Sequence, residues 1–308
     1  MPSSYVTVGS GDHHVLAIHG WFGSARGWSS FPEFIDGSAY TYAFMDLRGY
    51  GARMQTAGEF TVDEVAADAL AVADDLGWDR FSVVGHSMGG KFAHRVLLAA
   101  PDRVRALVGL NPVPAGATPF DESGWALFYG AADHPGNRAA IIDFTTGNRL
   151  TKTFITGVVQ HSLDNSAVPA GAVPFDEQGW ALFSGASDHP ENRAAIIDLT
   201  TGNKLTKTFI NTLVRHSLET STVPAFAAYL QAWARSDFSA QGKVDTATPV
   251  KLIVGVNDPA LSADVMEQTW RVFFPDAELT ILPDAGHYPM FESPVSLATS
   301  IEGFLGRE

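Results

Sequence analysis

No cysteine occurs anywhere in the 308 residues. That absence removes a disulfide framework, a thiolate metal site and a cysteine nucleophile together. Basic residues are scarce as well: 20 lysines and arginines stand against 34 aspartates and glutamates, a net charge of -14. Nucleic acids and anionic membrane surfaces need a basic face, so neither is an expected partner. Long apolar runs are missing too, and none approaches the ~18 residues of a membrane helix. Met1 to Gly11 carries neither the basic nor the apolar segment of a signal peptide, and the expected location is cytoplasmic.

The apolar residues that are present come in short bursts. Stretches 15–18, 40–45, 81–84, 104–110, 250–254 and 279–282 are rich in branched side chains and bounded by turn residues, which predicts buried strands. Helical periodicity lies between them. Residues 61–76 place Val62, Val65, Leu70 and Leu76 on one face, with Asp63 and Glu64 in the first turn. Further helices are expected at 88–100, 225–234, 262–273 and 295–305. Strands alternating with helices predict an α/β fold with a mostly parallel sheet covered on both faces.

The middle of the chain is written twice. Residues 114–168 and 169–223 are two copies of one 55-residue unit, identical at 41 of the 55 positions: Phe120-Asp121-Glu122 returns as Phe175-Asp176-Glu177, and His161-Ser162-Leu163 as His216-Ser217-Leu218. Solenoids need about three units or more to bury a continuous core, so two copies describe a tandem duplication. Each unit predicts three short helices. The first carries Trp125, Leu127 and Phe128, repeated as Trp180, Leu182 and Phe183; the others are marked by 139–142 and by Phe154, Ile155 and Val158. Removing one copy leaves 253 residues (308 minus 55), the size of a single α/β domain with a small helical insertion.

One pentapeptide carries chemistry. Gly85-His86-Ser87-Met88-Gly89 follows an apolar run and opens a helical pattern, the context of a serine on a tight strand-to-helix turn. Side chains at Gly85 and Gly89 would collide across such a turn. His19-Gly20 follows an earlier apolar run, Asp258 a later one, and His287 comes after the last.

These stretches resemble the α/β-hydrolase superfamily, and more narrowly the small serine esterases whose elbow reads GHSMGGK and whose early loop reads HG, an aromatic or aliphatic residue, then FGS. Both stand here, as 85–91 and as His19-Gly20-Trp21-Phe22-Gly23-Ser24. The resemblance implies an α/β-hydrolase core over 1–113 and 224–308, with lid copy one at 114–168 and lid copy two at 169–223. Members of that kind carry one such insertion, not two. It also implies Ser87 as nucleophile, His287 as its base and Asp258 as the residue that orients the base, in the chain order this fold requires. The alternative acid position holds Asn111, whose amide cannot stabilise an imidazolium as a carboxylate does. The backbone N–H groups of Trp21 and Met88 would form the oxyanion hole. Phe22, Trp125, Phe128, Trp180 and Phe183 would line the substrate pocket, although Trp125 and Phe128 at helical spacing also read simply as a helix core face.

Other residues receive plainer readings. His19 is expected to brace the oxyanion loop, His86 to be structural, and the charges of Asp46-Leu47-Arg48 to hold a loop. His134, His161, His189 and His216 lack the short spacing of zinc ligands, so no metal is expected, and no cofactor is implied. The expected reaction is hydrolysis of a small to medium carboxylic ester. The same residues would serve thioesters, lactones or a carbon–carbon bond; relatives that act on halides or epoxides use an aspartate where Ser87 stands. A ligand-binding protein on the same fold with little turnover is the alternative of another class, and a pocket plugged by the extra repeat is a third. The duplicated lid also predicts a homodimer or a double-layered roof, with the roof over Ser87 drawn from copy one, from copy two, or from the start of one and the end of the other.

Overall fold

The structure is a computed structural model that describes residues 4–117, 182–241 and 247–307. Seven strands form one sheet: β1 (Tyr5–Gly9), β2 (His13–Ile18), β3 (Tyr40–Met45), β4 (Phe81–His86), β5 (Val104–Leu110), β6 (Val250–Gly255) and β7 (Glu278–Leu282). Their order is β1-β3-β2-β4-β5-β6-β7, and every pairing is parallel except that of β1 with β3. Strand β4 lies at the centre, and all six of its residues are buried. A central parallel strand has no solvent face, which is why 81–86 reads as an apolar run rather than an alternation.

The edge strand β1 was not among the expected elements. It has one neighbour and only half-buried or exposed residues, so Tyr5, Val6 and Val8 make no apolar run. Helices α1 (Val62–Asp75) and α2 (Met88–Ala99) follow β3 and β4 and pack side by side. Thr61 caps α1, its hydroxyl accepting the Glu64 N–H at 3.2 Å. The helix expected over 262–273 is broken into two pieces, Ala263–Gln268 and Trp270–Phe273. The break at Thr269 turns Trp270 inward, where it is buried and its indole N–H donates to the Pro112 carbonyl at 3.1 Å. The chain closes with a turn of helix at Pro289–Glu292 and a last helix at Pro294–Leu305.

The first repeat lies outside the described residues apart from 114–117, as do residues 169–181 of the second. The remainder of the second copy forms α3 (Pro190–Thr200) and α4 (Lys207–Thr220), over the segments where two helices of the unit are expected. The next helix, α5 (Val223–Arg235), begins at the last residue of the repeat, with Thr222 as its cap. The tripeptide Val-Pro-Ala stands at 113–115, 168–170 and 223–225. It is irregular chain at the first of these positions and the first turn of α5 at the third.

The second copy sits against the core through particular contacts. Ser221 bridges to Tyr50, the Thr222 N–H donates to the Gly49 carbonyl at 2.9 Å, and His216 Nε2 lies 3.2 Å from Ser24 Oγ. Phe209 meets Phe291 edge-on at 5.5 Å.

Candidate active site

Ser87 stands between the end of β4 and the first turn of α2 with φ 54° and ψ -119°, a backbone conformation that a residue with a side chain adopts only when its surroundings impose it. The surroundings here are backbone. The Ser87 N–H donates to the Leu110 carbonyl at 2.9 Å, and the Ser87 carbonyl accepts from Gly90 at 2.9 Å and Val113 at 3.0 Å. A Cβ at Gly85 would come within 2.2 Å of the Gly89 carbonyl oxygen, and one at Gly89 within 2.3 Å of that of Ile18. The elbow is thus packed backbone against backbone, and its two glycines are what permit the approach.

The three residues expected to act together meet here. His287 Nε2 lies 2.9 Å from Ser87 Oγ, and His287 Nδ1 lies 2.6 Å from Asp258 Oδ2. With the Nδ1 proton directed to the carboxylate, Nε2 is left to accept the serine hydroxyl. Asp258 is buried and receives three further donors: Asn111 Nδ2 at 2.8 Å, and the N–H groups of Ala260 at 2.9 Å and Leu261 at 3.2 Å. Asn111, at the position rejected as the acid, therefore clamps the Asp258 carboxylate. Its own oxygen accepts the Gly255 N–H at 3.4 Å.

The loop bearing His287 is held from two sides. His86 Nε2 donates to the His287 carbonyl at 2.7 Å, and the Tyr288 N–H donates to Glu292 Oε2 at 2.9 Å. Burial, reinforced by the neighbouring His287, drives the His86 pKa down to about 3, so its ring is neutral. Burial also raises the Glu292 carboxyl, against the N–H groups of Gly286 and Tyr288 that favour its charged form. The expectation of a structural role for His86 thus acquires a definite contact.

The Trp21 and Met88 amides donate to no acceptor among the described residues. Met88 N–H opens α2, where the helix end leaves it unpaired and the dipole favours negative charge. The Trp21 loop closes on the elbow because Gly20 has no side chain: a Cβ there would lie 2.6 Å from His86 Nδ1 and 3.2 Å from Ser87 Cβ. His19 braces this loop as expected, with Nδ1 donating to the Gly20 carbonyl at 2.7 Å and Nε2 accepting the Leu47 N–H at 3.4 Å. Asp46 accepts the N–H groups of Ala25 and Ala52, while Arg48 pairs with Glu64 and Asp68 on α1, so these charges do hold the loop.

Among the expected pocket residues, Phe22 packs on Trp21 and Phe226, and Phe183 stacks parallel to Trp21 at 5.7 Å. Trp125, Phe128 and Trp180 lie outside the described residues. A cavity of about 20 Å³, room for one water molecule, lies beside His86 and is lined by Phe22, Trp28, Leu213 and His216. Among the described residues no group of histidine and carboxylate side chains could hold a metal, and no helix is long and apolar enough to cross a membrane.

Two buried cations escaped the reading of the sequence. Lys91 on α2 directs its ammonium at the carbonyls of Gly116 at 3.1 Å, Trp233 at 2.9 Å and Ser236 at 2.6 Å, and burial lowers its pKa to about 8. It thereby fastens the chain leaving the core near 116 to the end of α5. Arg193 on α3 is 1% exposed. The retention of arginine in both copies, as Arg138 and Arg193, was the available signal.

A sheet of this order with a serine elbow after its central strand matches the sequence profile of α/β-hydrolase-fold proteins over residues 13–294, and the chain belongs to that family. A stretch of 140 residues is 34% identical to a pimeloyl-acyl-carrier-protein methyl ester esterase of Cronobacter sakazakii, covering 44% of this chain and 46% of that one. Another of 112 residues is 31% identical to a fluoroacetate dehalogenase of a Burkholderia species, covering 35% and 36%. The chain thus matches less than half the length of these relatives. Among solved structures, an esterase from Exiguobacterium antarcticum superposes with a TM-score of 0.72 at 15% identity, over 98% of this chain and 94% of that one. A hydrolase from Oleispira antarctica does so with 0.72 at 16%, over 99% and 94%. At those identities the likeness is one of fold.

Proposed function

We propose that the chain hydrolyses carboxylic esters of small to medium acyl chain through an acyl-enzyme on Ser87. The observation that carries this reading is the unbroken hydrogen-bonded line from Ser87 Oγ through His287 to Asp258, with the Trp21 and Met88 amides, which donate to no acceptor among the described residues, at its Ser87 end. Ser87 Oγ attacks the ester carbonyl as its proton passes to His287 Nε2, and the charge that develops on the carbonyl oxygen is taken by the Trp21 and Met88 N–H groups. The carbon–oxygen bond then breaks, and the alcohol leaves with the proton from His287. Water repeats the sequence, giving its proton to His287 and releasing the acid and free Ser87.

The identity to a methyl ester esterase supports the ester as substrate class. The likeness to a dehalogenase does not extend to the reacting atom, because the elbow presents a hydroxyl where dehalogenating relatives present a carboxylate. Thioesters and lactones offer the same carbonyl to the same hydroxyl and belong to the same reading. In it the second repeat forms the roof of the site, through Phe183 against Trp21 and His216 against Ser24.

The test is hydrolysis of p-nitrophenyl esters from acetate to octanoate by the intact chain and by Ser87→Ala. Turnover in the first and a loss of about 10⁴-fold or more in the second is the expected result, as for other single removals of a serine nucleophile. Equal rates in both would place the chemistry elsewhere, and inertness of both would favour a ligand-binding protein.

A further inference from the structure

Arg193 belongs to the docked repeat, and its guanidinium sits between that repeat and the Phe226 ring of α5. Among the described residues no carboxylate lies within ion-pair distance of it. Its donors go to the carbonyls of Ala186 and Ser187 and to the hydroxyls of Ser217 at 2.8 Å and Ser221 at 3.5 Å. Burial without a counter-ion pulls its pKa down to about 10. The guanidinium carbon lies 3.8 Å from the centre of the Phe226 ring, a close cation–π contact between two buried groups.

Phe226 passes the contact on. Its ring stacks on the Trp21 indole at 4.1 Å and 20°, and its carbonyl accepts the Trp21 indole N–H at 2.8 Å. The Trp21 carbonyl accepts the Tyr50 hydroxyl at 3.0 Å. Trp21 is therefore fixed through its ring, its indole nitrogen and its carbonyl, while its backbone N–H donates to no acceptor among the described residues. The repeat reaches its ring in two ways, directly through Phe183 at 5.7 Å and through Phe226 beneath Arg193.

We propose that Arg193 is a positioning residue for the Trp21 amide: by seating on Phe226 it holds that ring against the Trp21 indole, so docking of the repeat and placement of the oxyanion donor are one event. The inference rests on the reading of Trp21 as an oxyanion donor. A purely structural role, tying α3 to the serines of α4, would lower stability and leave the chemical step alone.

The full-length chain carrying Arg193→Met is compared with the parent, with Arg138→Met at the equivalent position of the other copy, and with Phe226→Leu, which removes the ring but keeps the hydrogen bonds of Arg193. On p-nitrophenyl butyrate, Arg193→Met is expected to lose about tenfold in kcat with KM within about twofold, a fraction of the 10²–10³ that loss of a whole donor costs. Phe226→Leu should lose a similar factor, the pair together no more than either alone, and Arg138→Met nothing. A kcat within about twofold of the parent in both Arg193→Met and Phe226→Leu, or losses confined to KM, would overturn the proposal. If Arg193→Met does not fold, Phe226→Leu decides.

Nitrogen-15 tryptophan labelling reads the same point without turnover. The Trp21 amide resonance, assigned through Trp21→Phe, is expected to shift in Arg193→Met or Phe226→Leu and to stay in Arg138→Met; an unmoved resonance in the first two would overturn the proposal. An intact chain that hydrolyses no ester defeats the hydrolase reading instead, and the resonances then decide the positioning by themselves.

Discussion

The corner at Ser87 and the repeat docked near it are held in different ways. At the corner, backbone meets backbone: carbonyls of Ile18, His19, Leu110 and Gly89 crowd a turn that only small residues permit. At the repeat, side chains share the holding with the backbone contacts of Ser221 to Tyr50 and Thr222 to Gly49. Phe183 meets Trp21, His216 meets Ser24, Arg193 meets Phe226, and Lys91 gathers three carbonyls from two distant segments. Backbone packing fixes geometry to a fraction of an ångström and fails when anything is added. Side-chain docking fails when something is taken away, and it does so in steps. A residue that must stay in register suits the first; a docked segment suits the second.

The contrast can be broken most sharply by a single methyl. Gly89→Ala places a Cβ 2.3 Å from the Ile18 oxygen and 2.6 Å from that of His19, with only backbone to yield. The expected loss is about 3 kcal/mol or more, at the upper end of overpacking costs, measured by urea denaturation; an undiminished midpoint would show that the elbow can relax. On the docked side the corresponding change is a removal. Lys91→Met keeps the volume but leaves three carbonyls without their donor, and about 2 kcal/mol is expected. Proteolysis near residue 116 should rise in that variant while the core stays resistant; uniform resistance would refute the fastening role.

Acid tests the corner at a finer grain. His86 is neutral in the folded protein down to about pH 3, whereas in the unfolded chain it takes up a proton near its ordinary 6.5. Between those values the unfolded state binds the extra proton, so stability is full above 6.5 and falls as pH drops through that window. The contribution is up to about 1.4 kcal/mol per pH unit. In His86→Asn the slope between pH 6 and 4.5 should be shallower by that amount; equal slopes would remove His86 from the account.

How far the chain could be read before folding follows the same division. That Ser87, Asp258 and His287 would meet was legible because each follows a strand, and a parallel sheet delivers strand ends to one side. The clamp by Asn111 was half legible, since its position was recognised and its partner was not. Strand β1 was missed because an edge with one neighbour leaves no apolar run, and the break at Thr269 because nothing local announces that Trp270 will turn toward Pro112. Lys91 left no signal, and Arg193 only its repetition as Arg138, for a deeper reason. A cation is buried when carbonyls or rings far away in the chain converge on it, and no window of sequence contains that convergence.

The three Val-Pro-Ala joints have a consequence for the gene rather than the protein. Exchange between neighbouring joints, 113–115 with 168–170 or 168–170 with 223–225, adds or removes one whole unit and leaves every codon on either side in frame. The same tripeptide already serves both as irregular chain and as the start of a helix. A lineage carrying this unit can therefore gain or lose a copy in one recombination step, with the strands that carry Ser87, Asp258 and His287 untouched.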